Sequence, residues 1–334
     1  MRIGLTYDLK EAVPLDPSGP EDALEEYDYA KTVELLSAAI SAAGHSVVRL
    51  GGGKEFLENI LREKTDFVFN IAEGRGSYRS REAQVPSVLE MLNIPYSGSD
   101  PQCLAVCLDK PLTKKIVALA GVHVPQELVI ADAKELKNTP LKAFPYPAIV
   151  KPAWEGSSKG VRLTSVARNA GEAADLLAKM LEDYHQPAMI EEFIAGDEVT
   201  VGIIGNNPPE VLGMMRILPR KKYRHFVYSL EVKRDWRNTV EYECPAKLDR
   251  EVLEKIRWSS LSAFKALGCR DFARMDFRIN AQGNAYFLEI NPLPGLGDYS
   301  DLVIMAQRLG WTYNRLISAV LDAALGRYAS CPRG

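Results

Sequence analysis

Residues 286–295 read "YFLEINPLPG", and their pattern decides how the rest of the chain is organised. Tyr286, Phe287, Leu288 and Ile290 form an apolar run suited to a strand, and Glu289 and Asn291 interrupt it. Strand side chains alternate between faces, so Glu289 and Asn291 point the same way. The longer stretch "FARMDFRINAQGNAYFLEIN", 272–291, predicts a hairpin turning near Gln282–Gly283. Asp276 then lies across from Glu289, and Arg274 across from Asn291. These four share one face, while Met275, Phe277, Leu288 and Ile290 line the other. Two carboxylates in cross-strand register repel each other unless something positive sits between them. Oxygen donors from Asp, Glu and Asn suit Mg²⁺ or Mn²⁺, and Mg²⁺ characteristically shares its shell with substrate phosphates. The competing reading is a solvated polar face with unrelated charges.

Composition sets outer bounds. The 334 residues are 46% hydrophobic and 25% charged, an ordinary globular balance for two or three packed units. A net charge of −3 gives no reason to expect nucleic-acid or membrane binding. No apolar run approaches the roughly 20 residues of a membrane helix, and "MRIGLTYDLK" lacks a signal peptide's apolar segment. Five cysteines, Cys103, Cys107, Cys244, Cys269 and Cys331, show no CxxC spacing, which argues against both a disulfide framework and a zinc site. The chain reads as cytosolic.

Along the first hundred residues strands and helices alternate. "RIGLTY", "SVVRL" and "DFVFNIA" are strands, Tyr27 to Ala43 carries helical periodicity ending at Gly44, and a further helix ends near Leu92. Alternation of this kind predicts a small parallel sheet covered by helices. From Asp109, two helical segments lead into the strands "PQELVI", "PYPAIVKPA" and "VRLTSV". A helix over Ala170 to Asp183 precedes "AMIEEFI", "EVTVGII" and "EVLGMMRI", also strands. The basic stretch "LPRKKYRHF" is a loop, followed by a helix from Asp249 to Leu267, the hairpin and one closing helix. Unit boundaries fall near 100 and 194.

Two glycine-rich segments carry testable chemistry. Gly156, Ser158 and Gly160 satisfy G-x-S-x-G, but a nucleophile elbow needs a helix after the turn, and "VRLTSV" stands there instead. "KPAWEGSSKGV" reads better as a phosphate cover, with Lys151 at a strand end and small residues that let backbone N–H groups approach phosphate oxygens. A plain hairpin with a polar turn is the bland alternative. In "MIEEFIAGDEVTV" the strand exit at Glu192 to Ile194 could present backbone groups to an adenine edge, and Glu198 could accept from ribose hydroxyls.

Taken in order, Lys110 in "LDKPLTKK", then "KPAWEGSSKG", "IEEFIAGDE", "EVKRDW", "ARMDF" and "LEINPLPG" resemble the ATP-grasp enzymes, specifically the D-alanine–D-alanine ligase family. The match covers nearly the whole chain, including "IPYSGS" ahead of "DK" and "YECPAKL". It implies an α/β, three-domain ATP-grasp fold with units 1–100, 101–194 and 195–328. It also implies a carboxylate–amine ligase that uses ATP and Mg²⁺ and works on small-molecule amino acids or carboxylates, and it allows a homodimer. By position, Lys110, Lys151 and Lys233 resemble the family's nucleotide-side lysines. Glu191, Glu192 and Ile194 resemble its adenine segment, and Glu198 its ribose carboxylate. Asp276, Glu289 and Asn291 match its magnesium ligands. Arg274 corresponds to the arginine that stabilises the acyl phosphate and the tetrahedral species. Ser157 falls on the loop serine near the substrate, and Gly295 and Ser300 on the segment holding the second substrate's carboxylate.

Three departures stand out. "TYDLKEAVPLD" replaces the family's N-terminal glycine-rich stretch with its anchoring glutamate, and "NIAEGRGSYRSREAQ" replaces the His-Gly segment, with Glu73 and Glu82 as candidate substitutes. Arg234 stands where a tyrosine follows the lysine. A guanidinium there predicts that the preferred substrate is not D-alanine but a different amino acid or peptide, one with an additional acidic group being among the candidates. Arg79, Arg81, Arg220, Lys221, Lys222 and Arg224 read mostly as solvated charges. An ATP-grasp kinase with no amine step and a non-catalytic nucleotide-binding protein are the alternatives.

Overall fold

Three sheets carry the chain in the computed structural model, which describes residues 1–14 and 19–328. In the first, β1 (Arg2–Thr6) lies between β2 (Ser46–Gly51) and β3 (Phe67–Asn70), and both pairings are parallel. Parallel strands require crossovers, supplied here by α1 (Ala30–Ala42) and α2 (Gly53–Arg62). Helix α1 stops where Gly44 takes φ +86°, the left-handed conformation that a helix end demands and glycine adopts freely. After α3 (Gln84–Met91), two capped helices turn toward the rest of the molecule. Asp100 caps α4 (Pro101–Leu108) by accepting from the Cys103 N–H at 2.9 Å, and Asp109 caps α5 (Lys110–Leu119) by accepting from the Leu112 N–H at 3.1 Å. Of the two helical segments expected from Asp109, one therefore ends before that residue and the other begins after it.

The second sheet is antiparallel, in the order β4 (Glu127–Ile130), β7 (Ala188–Glu192), β5 (Ala148–Pro152), β6 (Val166–Ala167). Helices α6 (Ala133–Asn138) and α7 (Ala170–Tyr184) belong to this part, and Leu177 and Met180 of α7 pack into a core with Val150 and Ile190. "VRLTSV" is not the strand its composition predicts. Residues 161–165 are irregular, and only Val166 and Ala167 pair with β5.

The third sheet runs β10 (Val240–Glu243), β9 (Glu210–Pro219), β8 (Asp197–Ile204), β11 (Phe272–Ile279), β12 (Ala285–Asn291), every pairing antiparallel. Short helices α8 (Leu230–Arg234) and α9 (Trp236–Thr239) precede β10, and α10 (Arg250–Ala266) lies between β10 and β11. The hairpin register agrees with the sequence reading at its critical pairs, Arg274 with Asn291 and Asp276 with Glu289. Leu288 does not. A bulge follows, with Phe277 opposite Phe287, so the alternation slips by one. Phe287 and Ile290 are buried in the core, and Leu288 lines the same pocket as Glu289.

Among the described residues two helices, not one, follow the hairpin: α11 (Asp301–Arg308) and α12 (Tyr313–Leu325). Ile317, Val320 and Leu321 of α12 and Phe272 of β11 share one core with Ile3, Leu5, Leu36 and Phe69. The last helix thus covers the first sheet. Among the described residues no helix is long and apolar enough to cross a membrane.

Phe272, fully buried, carries the seam between the third sheet and the first. Phe272→Ala is expected to lower stability by about 3–5 kcal/mol, the range for truncating a buried phenylalanine. Urea denaturation checks it, and a loss below about 1 kcal/mol would show that the seam contributes little.

Candidate active site

The polar face of the β11–β12 hairpin opens onto a pocket walled by Lys110, Lys151, Lys159, Glu198, Lys233 and Leu288. Each wall comes from a different element. Lys110 is the first residue of α5, Lys151 sits near the end of β5, Glu198 lies on β8 and Lys233 on α8. The hairpin places Asp276 and Glu289 among these cations. Arg274 donates to Asp276 Oδ2 at 3.0 Å and lies 3.8 Å from Glu289 Oε1, while Lys110 Nζ lies 3.5 Å from Glu289 Oε2. Thr200 donates to the other Asp276 oxygen at 2.8 Å.

Electrostatics separates the two carboxylates. Burial works against the charge on Glu289, but Lys110, Lys151, Lys233 and Arg274 outweigh it and bring the carboxyl down to about 2. Asp276 goes the other way: burial pushes it up, Arg274 opposes, and Glu289 adds to the rise. Glu289 is therefore ionised at every working pH. Asn291 Oδ1 accepts from the Leu293 N–H at 2.9 Å, which fixes the carboxamide at the strand end.

Lys151 is nearly dry, and burial pushes its ammonium down to about 8 against the pull of Glu289. Its partner is Glu191, which accepts from Lys151 at 3.2 Å and also contacts Lys114 directly. Lys114 further lies 3.6 Å from Glu127. Glu191 thus serves as the counter-charge of two lysines. Glu192 is only partly buried, and Ile194 gives its carbonyl to Arg278 at 3.3 Å. Arg278 also donates to Glu198 at 2.9 Å and to the Phe226 carbonyl, and its guanidinium lies 4.5 Å from the Phe193 ring centre. One arginine therefore joins the expected adenine segment, the expected ribose carboxylate and the basic loop. Burial raises the Glu198 carboxyl, with Arg278 opposing.

The loop after β5 is held in an unusual backbone state. Ser157 and Ser158 have φ of +50° and +60°, and Gly160 has +74°. Left-handed non-glycine residues cost about 1–3 kcal/mol each and gather where function requires a particular loop shape. A Cβ on Gly160 would meet Pro152 Cδ at 2.6 Å. Ser158, rather than Ser157, is among the pocket residues, and its hydroxyl donates to the Tyr228 carbonyl at 3.3 Å. The Leu230 N–H reaches the Val161 carbonyl at 3.1 Å, so this loop and the segment after "LPRKKYRHF" are latched together.

On the opposite side of Arg274, Asp301 lies 3.7 Å away and accepts from Tyr228 at 3.0 Å. Arg274 Nε is buried without a hydrogen-bond partner among the described residues, a donor left over for a ligand. Gly295 and Ser300 lie beside each other, since a Cβ on Gly295 would stand 3.0 Å from Ser300 Oγ, and Ser300 precedes Asp301 at the start of α11, but neither is among the residues that line the pocket.

Two sequence expectations need correction. Arg234 does not line the pocket. It is about half exposed and donates to Glu25 at 2.7 Å, so its charge is directed at the N-terminal segment. Arg81, read as solvated, is fully buried. It makes a bidentate pair with Glu26 at 3.0 and 2.6 Å and donates to Glu155 at 3.0 Å. Lys159 joins the same two carboxylates, and Gln186 donates to Glu155 at 2.6 Å. Glu155 and Lys159 lie inside the glycine loop itself, yet no spacing rule marks them as partners of residues 26 and 81. Beside them, burial raises Glu73, and raises Glu82 to about 7 with Arg81 opposing. Asp28, similarly buried, is also raised to about 7. The N-terminal wall is therefore rich in carboxyls that lack full counter-charge.

Residues 117–322 match the family model for the D-ala D-ala ligase C-terminus. A D-alanine–D-alanine ligase of Aquifex aeolicus is 35% identical over 292 residues, covering 87% of this chain and 94% of that protein. Among solved structures, a Bacillus anthracis D-alanine–D-alanine ligase complexed with ATP superposes with a TM-score of 0.75 at 23% identity, covering 98% of each chain. The VanG D-Ala:D-Ser ligase of Enterococcus faecalis gives 0.72 at 20% identity, covering 97% of this chain and 99% of that one, and shares the fold. With this ATP-grasp fold and these matches, the chain belongs to the D-alanine–D-alanine ligase family and is an ATP-dependent carboxylate–amine ligase.

Proposed function

We propose that this ligase joins two small neutral amino acids through an acyl phosphate, with Asp276, Glu289 and Asn291 holding magnesium. The observation that carries the reading is the hairpin face on which a carboxylate held at about 2 sits among Lys110, Lys151, Lys233 and Arg274. Such a face is built to accept a highly charged anion with its cation. Oxygen donors of this kind fit Mg²⁺, which when bound neutralises phosphate charge. Lys110 and Lys151 hold the transferring phosphoryl group, and the latched loops keep water from the acyl phosphate. Arg274, always charged and with a spare Nε donor, stabilises the oxyanion formed as the second amine attacks. The units 1–100, 101–194 and 195–328 supply the substrate wall, the phosphate loop and the metal face, and ATP consumption accords with a cytosolic location.

Substrate choice rests on the N-terminal wall. With Arg234 engaged elsewhere, the under-compensated carboxyls of Asp28, Glu73 and Glu82 favour an ammonium group over an extra carboxylate. D-Alanine is the first candidate, since it stands in the names of the relatives above. The kinase and the non-catalytic reading have no counterpart among those names.

A phosphate-release panel with ATP and Mg²⁺ is expected to show turnover with D-alanine or another small neutral amino acid and little with acidic dipeptides. Preference for an acidic substrate would overturn the assignment of the wall. Glu289→Gln should reduce turnover at least about 100-fold in a folded protein, since it removes a proposed metal ligand. Near-normal magnesium dependence in that variant would remove Glu289 from the metal set. Lys151 binds phosphate in its protonated form, which the free enzyme loses as pH rises through about 8. Nucleotide affinity should therefore fall above that pH in the wild type. In Lys151→Ala it should be weaker at least about tenfold below pH 8, with the alkaline limb gone. A limb that persists in Lys151→Ala would assign it to another group.

A further inference from the structure

Linear spacing gave no sign of a cysteine site, but the fold assembles one. Cys103 and Cys107, one turn apart on α4, share a face, and Cys269 follows α10 and faces them. The Cys103 sulfur lies 3.5 Å from that of Cys269 and 3.8 Å from that of Cys107, and all three lie within 4.8 Å of one another. All are buried, at 2%, 5% and 8% exposure. Their separations suit a common ion, because three sulfurs about 2.3 Å from one centre stand roughly 4 Å apart.

The frame around them is rigid. Arg270, next to Cys269, donates its N–H to Ser99 Oγ at 3.0 Å and its guanidinium to Asp100 at 2.6 Å, and Asp100 caps the N–H of Cys103. These bonds lock the end of α10 to the start of α4, and so set the distance between the sulfurs. Cys103 lies in the first turn of its helix, where the helix dipole favours a thiolate. Val117, Val122, Phe264 and Leu267 belong to the same apolar cluster as the three cysteines.

We propose that Cys103, Cys107 and Cys269 form a three-thiolate site for a soft, thiophilic metal ion of the Cu(I) type. Three donors are one more than a disulfide uses. Among the described residues no His, Asp or Glu completes a fourth position, so a three-coordinate ion fits better than tetrahedral zinc. On binding, the ion forms three metal–sulfur bonds, and the thiol protons leave to solvent with no change of oxidation state. The site is separate from the hairpin face, but Cys107 precedes Lys110 by three residues, so occupancy braces the corner from which Lys110 projects.

The test uses the full chain in a Cys244→Ala/Cys331→Ala background under anaerobic conditions, with Cu(I) supplied as its coloured bicinchoninate complex. The protein is expected to withdraw one equivalent, and to hold Cu(I) more tightly than Zn(II) in a parallel competition. Cys269→Ala, with its fold verified by thermal melting, should weaken Cu(I) binding at least about tenfold. Cys103→Ser provides the same readout if the alanine variant is unstable. Failure of the folded protein to withdraw Cu(I), binding unchanged in Cys269→Ala and Cys103→Ser, or a preference for Zn(II) would each overturn the proposal, and the first would leave the cysteines as buried apolar packing.

Discussion

Mutual repulsion among Lys110, Lys114, Lys151, Lys233 and Arg274 is the constraint to which the rest of the structure answers. Several of these side chains are almost fully buried, and like charges at such spacing in a medium of low polarity are strongly unfavourable. The fold counters them in two layers. Glu191 pairs with Lys151 of the second sheet and Glu127 lies near Lys114 of α5, while Asp276, Glu289 and Asp301 surround the arginine of the third sheet. Buried ion networks of this kind gain little net stability, since desolvation offsets much of the attraction. Their value here is a preorganised field. The cations are already in place and already dry when an anion arrives, so binding need not reorganise them.

A second consequence concerns the segment around residues 21–28. Asp22 accepts from the Gly160 N–H at 2.9 Å and from the Tyr184 hydroxyl, and Glu26 reaches both Arg81 and Lys159. An acidic stretch from the first unit is thereby strapped to the glycine loop of the second. Shape and charge on this side of the glycine loop are thus set by contacts across more than a hundred residues of sequence.

That distance explains what could be read in advance. The hairpin was legible because its information is local: alternation and a short turn suffice to pair Asp276 with Glu289. Leu288 escaped the reading because a bulge has no marker in the residue types. Arg81 and Arg234 were misplaced in opposite directions, since an arginine's burial depends on whether a distant carboxylate meets it, and neither Glu26 nor Glu25 is a sequence neighbour. "VRLTSV" has the β-branched content of a strand, but its backbone is needed in the loop that latches to Leu230. The three cysteines came together through the contact between α4 and the end of α10, which periodicity does not encode.

The packing of α12 against the first sheet has a bearing on synthesis. Ile3 and Leu5 emerge from the ribosome well before Phe272, Ile317, Val320 and Leu321, which complete their core. At about 5–20 residues per second, the interval between them is on the order of tens of seconds. Over that period the nascent first sheet carries an unfinished apolar face, long after the second sheet has all its strands. Vectorial order therefore runs against architectural order: the first sheet is translated before the second and closes after it.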